Sequence, residues 1–212
     1  MRLWGRTTSV NVQKVLWTLE ELGLTYDRLD AGGAFGGLDT PDYLAMNPTR
    51  KVPTLQDGEL VIWESNAVVR YLARTYGDGT LAGGNPVETG RADMWMEWFQ
   101  NNPYPHFIAL FYQLVRLPQS ERDPAKRDRA IAALTENFAV LEAHLSNQPF
   151  VAGDRFTMGD IPVGAALYRY YTMELDRPDL PALAAYYDRL GQRQAYRDTV
   201  MTSYDSLRPA TA

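Results

Sequence analysis

The sequence predicts a small α/β domain followed by an all-helical domain. Over residues 1–75, apolar runs of strand length alternate with amphipathic helix patterns, whereas the chain after residue 86 has helical periodicity. Residues 77–86, which lie between these regions, contain four glycines and a proline and have the composition of a linker. We therefore expect domains at residues 1–76 and 87–212.

The first domain has the predicted order strand-helix-strand, helix, strand-strand-helix. Its elements are a strand at 1–5, a helix at 12–22, a strand at 24–29, a short helix at 41–46, strands at 52–56 and 59–63, and a helix at 65–75. Asp57-Gly58 lies between two apolar runs and is a strong hairpin signal. The glycine-rich segment 30–37 lacks the spacing of a phosphate-binding loop and indicates a flexible connection.

The second domain is predicted to contain several long helices. Aromatic and leucine residues form one helical face between Trp95 and Leu114, and a second face runs from Ile131 to Leu145. Pro103 is expected, together with the second proline two residues later, to kink the first of these helices. Further helices are predicted at 158–172, 180–190 and 192–200.

Composition excludes several classes of function. The chain has 212 residues and a formal charge of −5 without a basic cluster, which argues against nucleic acid as a partner. No stretch is apolar enough for a membrane helix or a secretory signal, so the expected location is the cytoplasm. The absence of cysteine excludes disulfides, thiolate metal sites and a cysteine nucleophile. With only two well-separated histidines, His106 and His144, no metal site is expected.

Two short motifs predict a binding site in the first domain. Lys51-Val52-Pro53 opens the hairpin, and the backbone groups of Val52 are expected to be available to an extended peptide. Glu64-Ser65 begins the following helix, where unpaired amides and the helix dipole suit a carboxylate. Together they predict a site for a small, peptide-like anion.

Ser9 has two interpretations from position alone. It precedes the first helix, where serine commonly caps the helix, and a helix cap is the favoured interpretation of the two. A hydroxyl at this position could instead donate a hydrogen bond to a ligand thiolate beside the helix dipole.

The aromatic run near the two prolines also has two interpretations. Helical spacing places most of these side chains in the core. The prolines could also open a cleft, in which case an apolar pocket would be lined by Tyr104, His106, Phe107 and Tyr112.

Phe156-Thr157-Met158-Gly159-Asp160 fits a helix start rather than a catalytic site. Thr157 and Asp160 have capping-box spacing, although the reciprocal residue is Asp rather than Glu or Gln. We therefore expect Asp160 to have a structural role.

Taken in order and spacing, these segments resemble the cytosolic glutathione transferases. The resemblance rests on Ser9-Val10-Asn11-Val12, Asn47-Pro48 with Lys51-Val52-Pro53, Glu64-Ser65, and Phe156-Thr157 with Asp160, and it covers nearly the whole chain. It implies a thioredoxin-like N-terminal domain, a helical C-terminal domain and a cis Val52–Pro53 bond. It also implies a homodimer with glutathione as co-substrate and no metal.

The resemblance also assigns roles to individual residues. Ser9 falls where theta, phi and related bacterial classes keep a catalytic serine, which reverses the preference for a helix cap. The Val52 backbone would pair with the cysteinyl part of glutathione, Glu64 and Ser65 would hold its γ-glutamyl end, and Lys51 its glycine carboxylate. Arg50 stands where glycine is common and could share that carboxylate. Three polar residues remain alternative groups near the thiol: Thr7, Thr8 and Asn11.

The implied activity is conjugation of glutathione to hydrophobic electrophiles held by the helical domain. The alternatives are a glutathione-dependent dehalogenase, isomerase or peroxidase, or a non-catalytic binding module of the same fold.

Overall fold

The computed structural model describes residues 1–209, which form one small mixed sheet and nine α-helices. The strands are β1 (Arg2–Trp4), β2 (Asp27–Leu29), β3 (Thr54–Asp57) and β4 (Leu60–Trp63). The helices are α1 (Val10–Glu21), α2 (Pro41–Met46), α3 (Ser65–Tyr76), α4 (Pro86–Asn101), α5 (Pro103–Phe111), α6 (Pro124–Leu145), α7 (Asp160–Thr172), α8 (Pro181–Gly191) and α9 (Gln194–Thr199). The predicted order of elements is confirmed in the first domain.

The sheet has the strand order β2-β1-β3-β4. β1 pairs with β2 in parallel, and β3 pairs antiparallel with both β1 and β4, with Leu3 opposite Leu55 and Leu55 opposite Ile62. The predicted hairpin is confirmed, and Gly58 in its turn has a φ of 58° that glycine adopts without strain.

The hairpin begins two residues later than predicted. β3 starts at Thr54 and lies inside the sheet rather than at its edge, because both of its sides are paired. Val52 precedes the strand, and its backbone makes no hydrogen bond to another backbone group within residues 1–209. The Val52–Pro53 peptide bond is cis, as the resemblance implied.

Helix α1 is buried on both of its faces. Val12, Val15 and Leu19 pack into the core of the first domain, as predicted. On the opposite side, Trp17 belongs to the core of the helical domain. Because α1 lies between the two domains, its polar residue Lys14 is also fully buried.

The two prolines separate two helices instead of kinking one. α4 ends at Asn101, and α5 begins at Pro103, where proline's fixed φ suits the first helical position. Asn102 between them has φ −114° and ψ −75°. After α5 the chain makes one wide turn, in which the Leu117 N–H donates to the Tyr112 carbonyl five residues earlier.

The start of α7 confirms the structural interpretation of Asp160. This carboxylate is fully buried and accepts hydrogen bonds from the Thr157 N–H (2.8 Å), the Val151 N–H (3.0 Å) and the Tyr186 hydroxyl (2.8 Å). Burial raises the pKa of Asp160 to about 6, although these hydrogen bonds act in the opposite direction. Asp160 therefore joins the start of α7 to α8 and to the preceding loop.

Across residues 1–209, no helix combines the length and the apolar character that a membrane crossing needs.

Candidate functional site

A cavity of about 430 Å³ lies between the two domains. It brings together the β1–α1 loop, the start of α1, the segment before β3, and parts of α5, α7 and the C-terminal segment. Its lining comprises Arg6, Thr8, Ser9, Val10, Asn11, Leu38, Arg50, Lys51, Val52, Tyr104, Ile108, Phe111, Tyr112, Arg116, Arg169 and Leu207. Most residues of the predicted site, from both domains, therefore lie around one cavity.

Ser9 occupies the N-cap position of α1 without acting as a side-chain cap. Its backbone is extended, with φ −92° and ψ 120°, and its carbonyl accepts the Gln13 N–H at 2.9 Å. Its hydroxyl makes no capping hydrogen bond, and the residue lines the cavity. Ser9 therefore begins the helix with its backbone, but its side chain is not the helix cap; a hydrogen bond from its hydroxyl to a ligand thiolate stays a prediction.

Asn11 is held by two hydroxyl groups. Its Oδ1 accepts hydrogen bonds from the Ser65 hydroxyl (3.2 Å) and from the Tyr104 hydroxyl (3.1 Å). Because Oδ1 is the acceptor, the amide Nδ2 is the donor that remains, and it has no partner among residues 1–209. Asn11 therefore presents a second hydrogen-bond donor beside Ser9.

The buried Lys14 side chain orients this network through the Ser65 hydroxyl. Its ammonium lies 3.5 Å from the Ser65 hydroxyl, 3.3 Å from Asn66 Oδ1 and 3.4 Å from Gln100 Oε1. It also lies 4.7 Å from the centre of the Tyr104 ring. An ammonium can only donate, so Ser65 accepts from Lys14 and donates to Asn11.

No carboxylate of residues 1–209 forms an ion pair with Lys14. Burial lowers the pKa of Lys14 to about 7, and the charge of Glu64 acts in the opposite direction. The residue that orients the network therefore changes its charge close to neutral pH.

The segment before β3 is held in place by side chains of α2 and its C-terminal end. The Lys51 carbonyl accepts hydrogen bonds from the Tyr43 hydroxyl (2.6 Å) and from Asn47 Nδ2 (3.0 Å). Arg50 has a φ of 55°, and both Arg50 and Lys51 are exposed and line the cavity. Two cations therefore lie beside the backbone of Val52.

Glu64 and Ser65 lie at the start of α3. Glu64 is exposed, with a φ of 68°, and its carbonyl accepts the first helical hydrogen bond from the Val68 N–H at 2.9 Å. The amides that precede Val68 in the first turn have no intrahelical partner. The Ser65 side chain is used within the Lys14–Asn11 network, so this residue can offer a ligand its backbone N–H.

Of the four residues predicted to line an apolar pocket, two lie around this cavity, and their role towards an electrophile stays a prediction. Tyr104 and Tyr112 line the cavity, together with Ile108 and Phe111. Phe107 does not, because it is fully buried in the helical core. His106 lies on the opposite side of α5, where it lines a separate cavity of about 440 Å³ with Gln113 and other residues. The i, i+4 spacing places Tyr104, Ile108 and Tyr112 on one helix face, and the sequence alone does not indicate which face points to the first domain.

Three arginines of the cavity, and Lys14, were not predicted. Arg6, Arg116 and Arg169 are far apart in the sequence, so no local motif marks them. Lys14 follows Asn11 at i+3, which is a signal for a shared helix face but not for burial. No cluster of three or more metal-ligating side chains occurs in the described part of the chain.

Comparisons with known proteins identify the family. Residues 1–74 match the model of the glutathione S-transferase N-terminal domain, and residues 124–189 match that of the C-terminal domain. Glutathione S-transferase GstB of Escherichia coli K12 is 41% identical over 201 residues, which cover 94% of this chain and 97% of the relative. Glutathione S-transferase 3 of Zea mays is 30% identical over 207 residues, with 94% and 93% covered.

A solved structure shows the same architecture. The theta class glutathione S-transferase of Xanthomonas axonopodis pv. citri, with glutathione bound, superimposes with a TM-score of 0.92. Its sequence is 48% identical, and the superposition covers 95% of this chain and 97% of that protein. With both domain models matched and similarity along almost its whole length, the chain belongs to the glutathione S-transferase family.

Proposed function

We propose that this glutathione transferase activates the glutathione thiol with the Ser9 hydroxyl and conjugates it to an electrophile held in the cavity between the domains. The observation that carries the proposal is the Ser9 hydroxyl, which lies at the N-terminus of α1, lines the cavity and makes no capping hydrogen bond. The dipole of a 12-residue helix favours negative charge at the same point.

The energy available at Ser9 is sufficient for thiol activation. A free thiol has a pKa of about 8.5, so little of it is thiolate at neutral pH. A hydrogen bond to a charged acceptor contributes roughly 1.5–3 kcal/mol. Since one pKa unit corresponds to about 1.36 kcal/mol, this bond alone lowers the thiol pKa by about one to two units. Asn11 Nδ2 adds a second donor to the same region.

The remainder of glutathione is proposed to bind along the first domain. The Val52 backbone groups are available to pair with the cysteinyl residue, in the manner of an added strand. The cations Arg50 and Lys51 suit the glycine carboxylate. The start of α3 at Glu64 and Ser65 suits the γ-glutamyl end, whose ammonium and carboxylate match an exposed carboxylate and unpaired amides.

We further propose a cytoplasmic homodimer whose chain divides at residues 77–86. The division is supported by two separate groups of buried residues, one of them within the first 72 residues. The cytoplasmic location is supported by the glutathione pool of that compartment. The dimer is supported by exposed apolar side chains on α4, Val87 (63% exposed) and Met94 (54% exposed).

Two steps test this proposal. The protein should be retained on immobilised glutathione and released by free glutathione. It should then accelerate the reaction of glutathione with a chromogenic aryl halide. Retention without turnover would indicate a binding module, whereas turnover of haloalkanes or peroxides without turnover of the aryl halide would favour the dehalogenase or peroxidase alternatives.

A further inference from the structure

The cavity that contains Ser9 also collects three arginines from distant parts of the chain. Arg6 comes from the β1–α1 loop, Arg116 from the wide turn after α5, and Arg169 from α7. None of them forms an ion pair within residues 1–209. The cavity lining contains no aspartate or glutamate. In a chain with a net charge of −5, this is a local concentration of positive charge.

Arg169 is the most deeply buried of the three, with 3% of its surface exposed. Its Nη2 donates to the Thr8 carbonyl (2.8 Å) and to Gln13 Oε1 (3.2 Å), which ties α7 to the start of α1. Both of these hydrogen bonds are made by the same guanidinium nitrogen of Arg169, Nη2. The Nε atoms of Arg169 and of Arg6 are both buried and have no hydrogen-bond partner among residues 1–209. A purely structural role therefore leaves two buried donors unexplained.

The arginines also act on one another electrostatically. Burial is the main cause that lowers the pKa of Arg169 to about 10, and the charges of Arg6 and Arg116 act in the same direction. Burial and Arg116 likewise lower the pKa of Arg6. Like charges gathered without a counter-ion are costly, and a bound anion would relieve that cost.

Apolar side chains also line this cavity. Ile108 and Phe111 line it from α5, and the Arg169 guanidinium lies 4.9 Å from the centre of the Phe111 ring. A second cavity of about 580 Å³ shares Arg6, Thr8 and Arg116 with the first and extends away from Ser9. Apolar side chains and cations without an ion-pair partner therefore line the same cavity as Ser9.

We propose that the electrophile of this enzyme is an amphipathic anion, whose apolar body packs against Ile108 and Phe111 and whose carboxylate is bound by Arg6 and Arg116. Planar guanidinium groups bind carboxylates through paired hydrogen bonds, which fits this assignment. The inference rests on the proposed function, since it names the substrate class of the same site. With the chlorinated substrates used below, the glutathione thiol releases its proton to solvent, the thiolate sulfur forms a bond to the electrophilic carbon, and chloride leaves with the electrons of the broken carbon–chlorine bond.

A matched pair of substrates tests the assignment. Chlorodinitrobenzoate and chlorodinitrobenzamide carry the same leaving group. They differ only in that the first has a carboxylate where the second has a neutral amide. After division by the uncatalysed rates with glutathione, kcat/KM should favour the carboxylate by roughly 10- to 100-fold, the effect of a charge-assisted hydrogen bond. In the double variant Arg6→Gln/Arg116→Gln, the preference should fall to about one, because kcat/KM for the carboxylate falls further than kcat/KM for the amide.

The control is the double variant Lys126→Gln/Arg129→Gln, which likewise removes two positive charges, from the exposed surface of α6 and outside this cavity. It should keep the preference for the carboxylate. Arg169 is left unchanged in all variants because its bonds to Thr8 and Gln13 hold α1 and α7 together. Equal turnover of the two substrates by the wild type, or a preference that survives in the double variant, would overturn the inference.

A binding measurement separates this inference from the proposed function. Calorimetry would compare S-(carboxybenzyl)glutathione with S-(carbamoylbenzyl)glutathione, which need no turnover. The wild type should bind the carboxylate form roughly 10-fold or more tightly, and the double variant should bind both forms equally. Binding with this preference but without any turnover would refute the catalytic proposal and support the anion site. Equal affinities in the wild type would refute the anion site, whatever the activity.

Discussion

At the scale of single residues, the start of α1 combines three polar side chains with different tasks. Ser9 offers a hydroxyl to the cavity, Asn11 offers an amide that is fixed by two hydroxyl groups, and Lys14 fixes the direction of that network from inside the protein. Networks of this kind hold their members more firmly than separate hydrogen bonds do. The Asn11 amide is therefore held in place before a ligand binds.

Ser9→Ala should reduce turnover and leave glutathione binding nearly unchanged. Losing a hydrogen bond to a thiolate removes about 1.5–3 kcal/mol from the reaction, which corresponds to roughly 10- to 150-fold in kcat. The pH–rate profile should move to higher pH, because the thiol pKa rises. Steady-state kinetics at several pH values checks both effects. An unchanged rate and profile would assign the role to Thr8 or Asn11.

Lys14→Met should change the pH dependence of stability. The pKa of folded Lys14, about 7, lies below the ordinary value of 10.5, so the unfolded chain holds the proton more tightly. The wild-type free energy of unfolding therefore rises with pH between these values, and below them Lys14 is charged in both states. Relative to the methionine variant, the wild type should gain up to about 1.4 kcal/mol per pH unit in this window.

Urea unfolding of both proteins from about pH 6 to about pH 9 measures this difference. Lys126→Met, which removes an exposed lysine from α6, is the control and should show no such slope. A constant difference between wild type and the Lys14 variant across the range would mean that Lys14 keeps its charge throughout.

At the scale of elements, the start of α7 depends on one carboxylate. Asp160→Asn keeps one acceptor oxygen and puts an NH2 group in place of the other, so this group faces either the Val151 N–H or the Thr157 N–H, which donate to different oxygens of Asp160. We expect a loss of about 1–3 kcal/mol in the free energy of unfolding for each donor left unpaired. Denaturation at neutral pH checks this value. Asp128→Asn, on the exposed surface of α6, should be neutral.

Most elements could be predicted from the sequence because their signals are local. The hairpin is marked by Asp57-Gly58, and the helix start at Asp160 by its capping pattern. Val52 and Ser9 line the same cavity, and only the family resemblance predicted that they would lie in one site. Short-range signals determine where a helix begins, but not which of its faces meets another domain.

The faces that were predicted wrongly illustrate this limit. Phe107 fits an apolar pocket as well as Tyr104 does in the sequence, and the rotation of α5 against the core decides between them. Trp95, at the start of the predicted aromatic face, is 7% exposed and packs against Trp98 and His144 of its own chain. The arginines of the cavity depend on the packing of segments more than 50 residues apart, which no local pattern encodes.

At the scale of the whole molecule, two domains and one interdomain helix create the site. α1 contributes to the core of each domain, so the Ser9 end of the helix is fixed relative to both the sheet and α7. The first domain supplies the groups proposed for glutathione, and the second supplies the walls proposed for the electrophile. Holding both reactants in one cavity provides the proximity that the reaction needs.

The homodimer is a further prediction about the whole molecule. With Trp95 buried, the surface available for a two-fold contact on α4 reduces to Val87, Met94 and the partly buried Trp98. We expect a particle of about twice the 24.0 kDa chain mass at micromolar concentration in sedimentation experiments. Met94→Lys should shift it towards monomer, whereas Val140→Lys, at an equally exposed site on α6, should not. An active monomeric wild type would contradict the dimer.

The proposed activation of the thiol by Ser9 is tested most directly by measuring the pKa of the glutathione thiol when it is bound to the enzyme. Thiolate absorbs in the ultraviolet, so a titration of the enzyme–glutathione complex against pH reports its ionisation. We predict a pKa about one to two units below the usual value of about 8.5, and a return towards that value in Ser9→Ala. A bound thiol that ionises at its ordinary pKa in the wild type would contradict activation by Ser9.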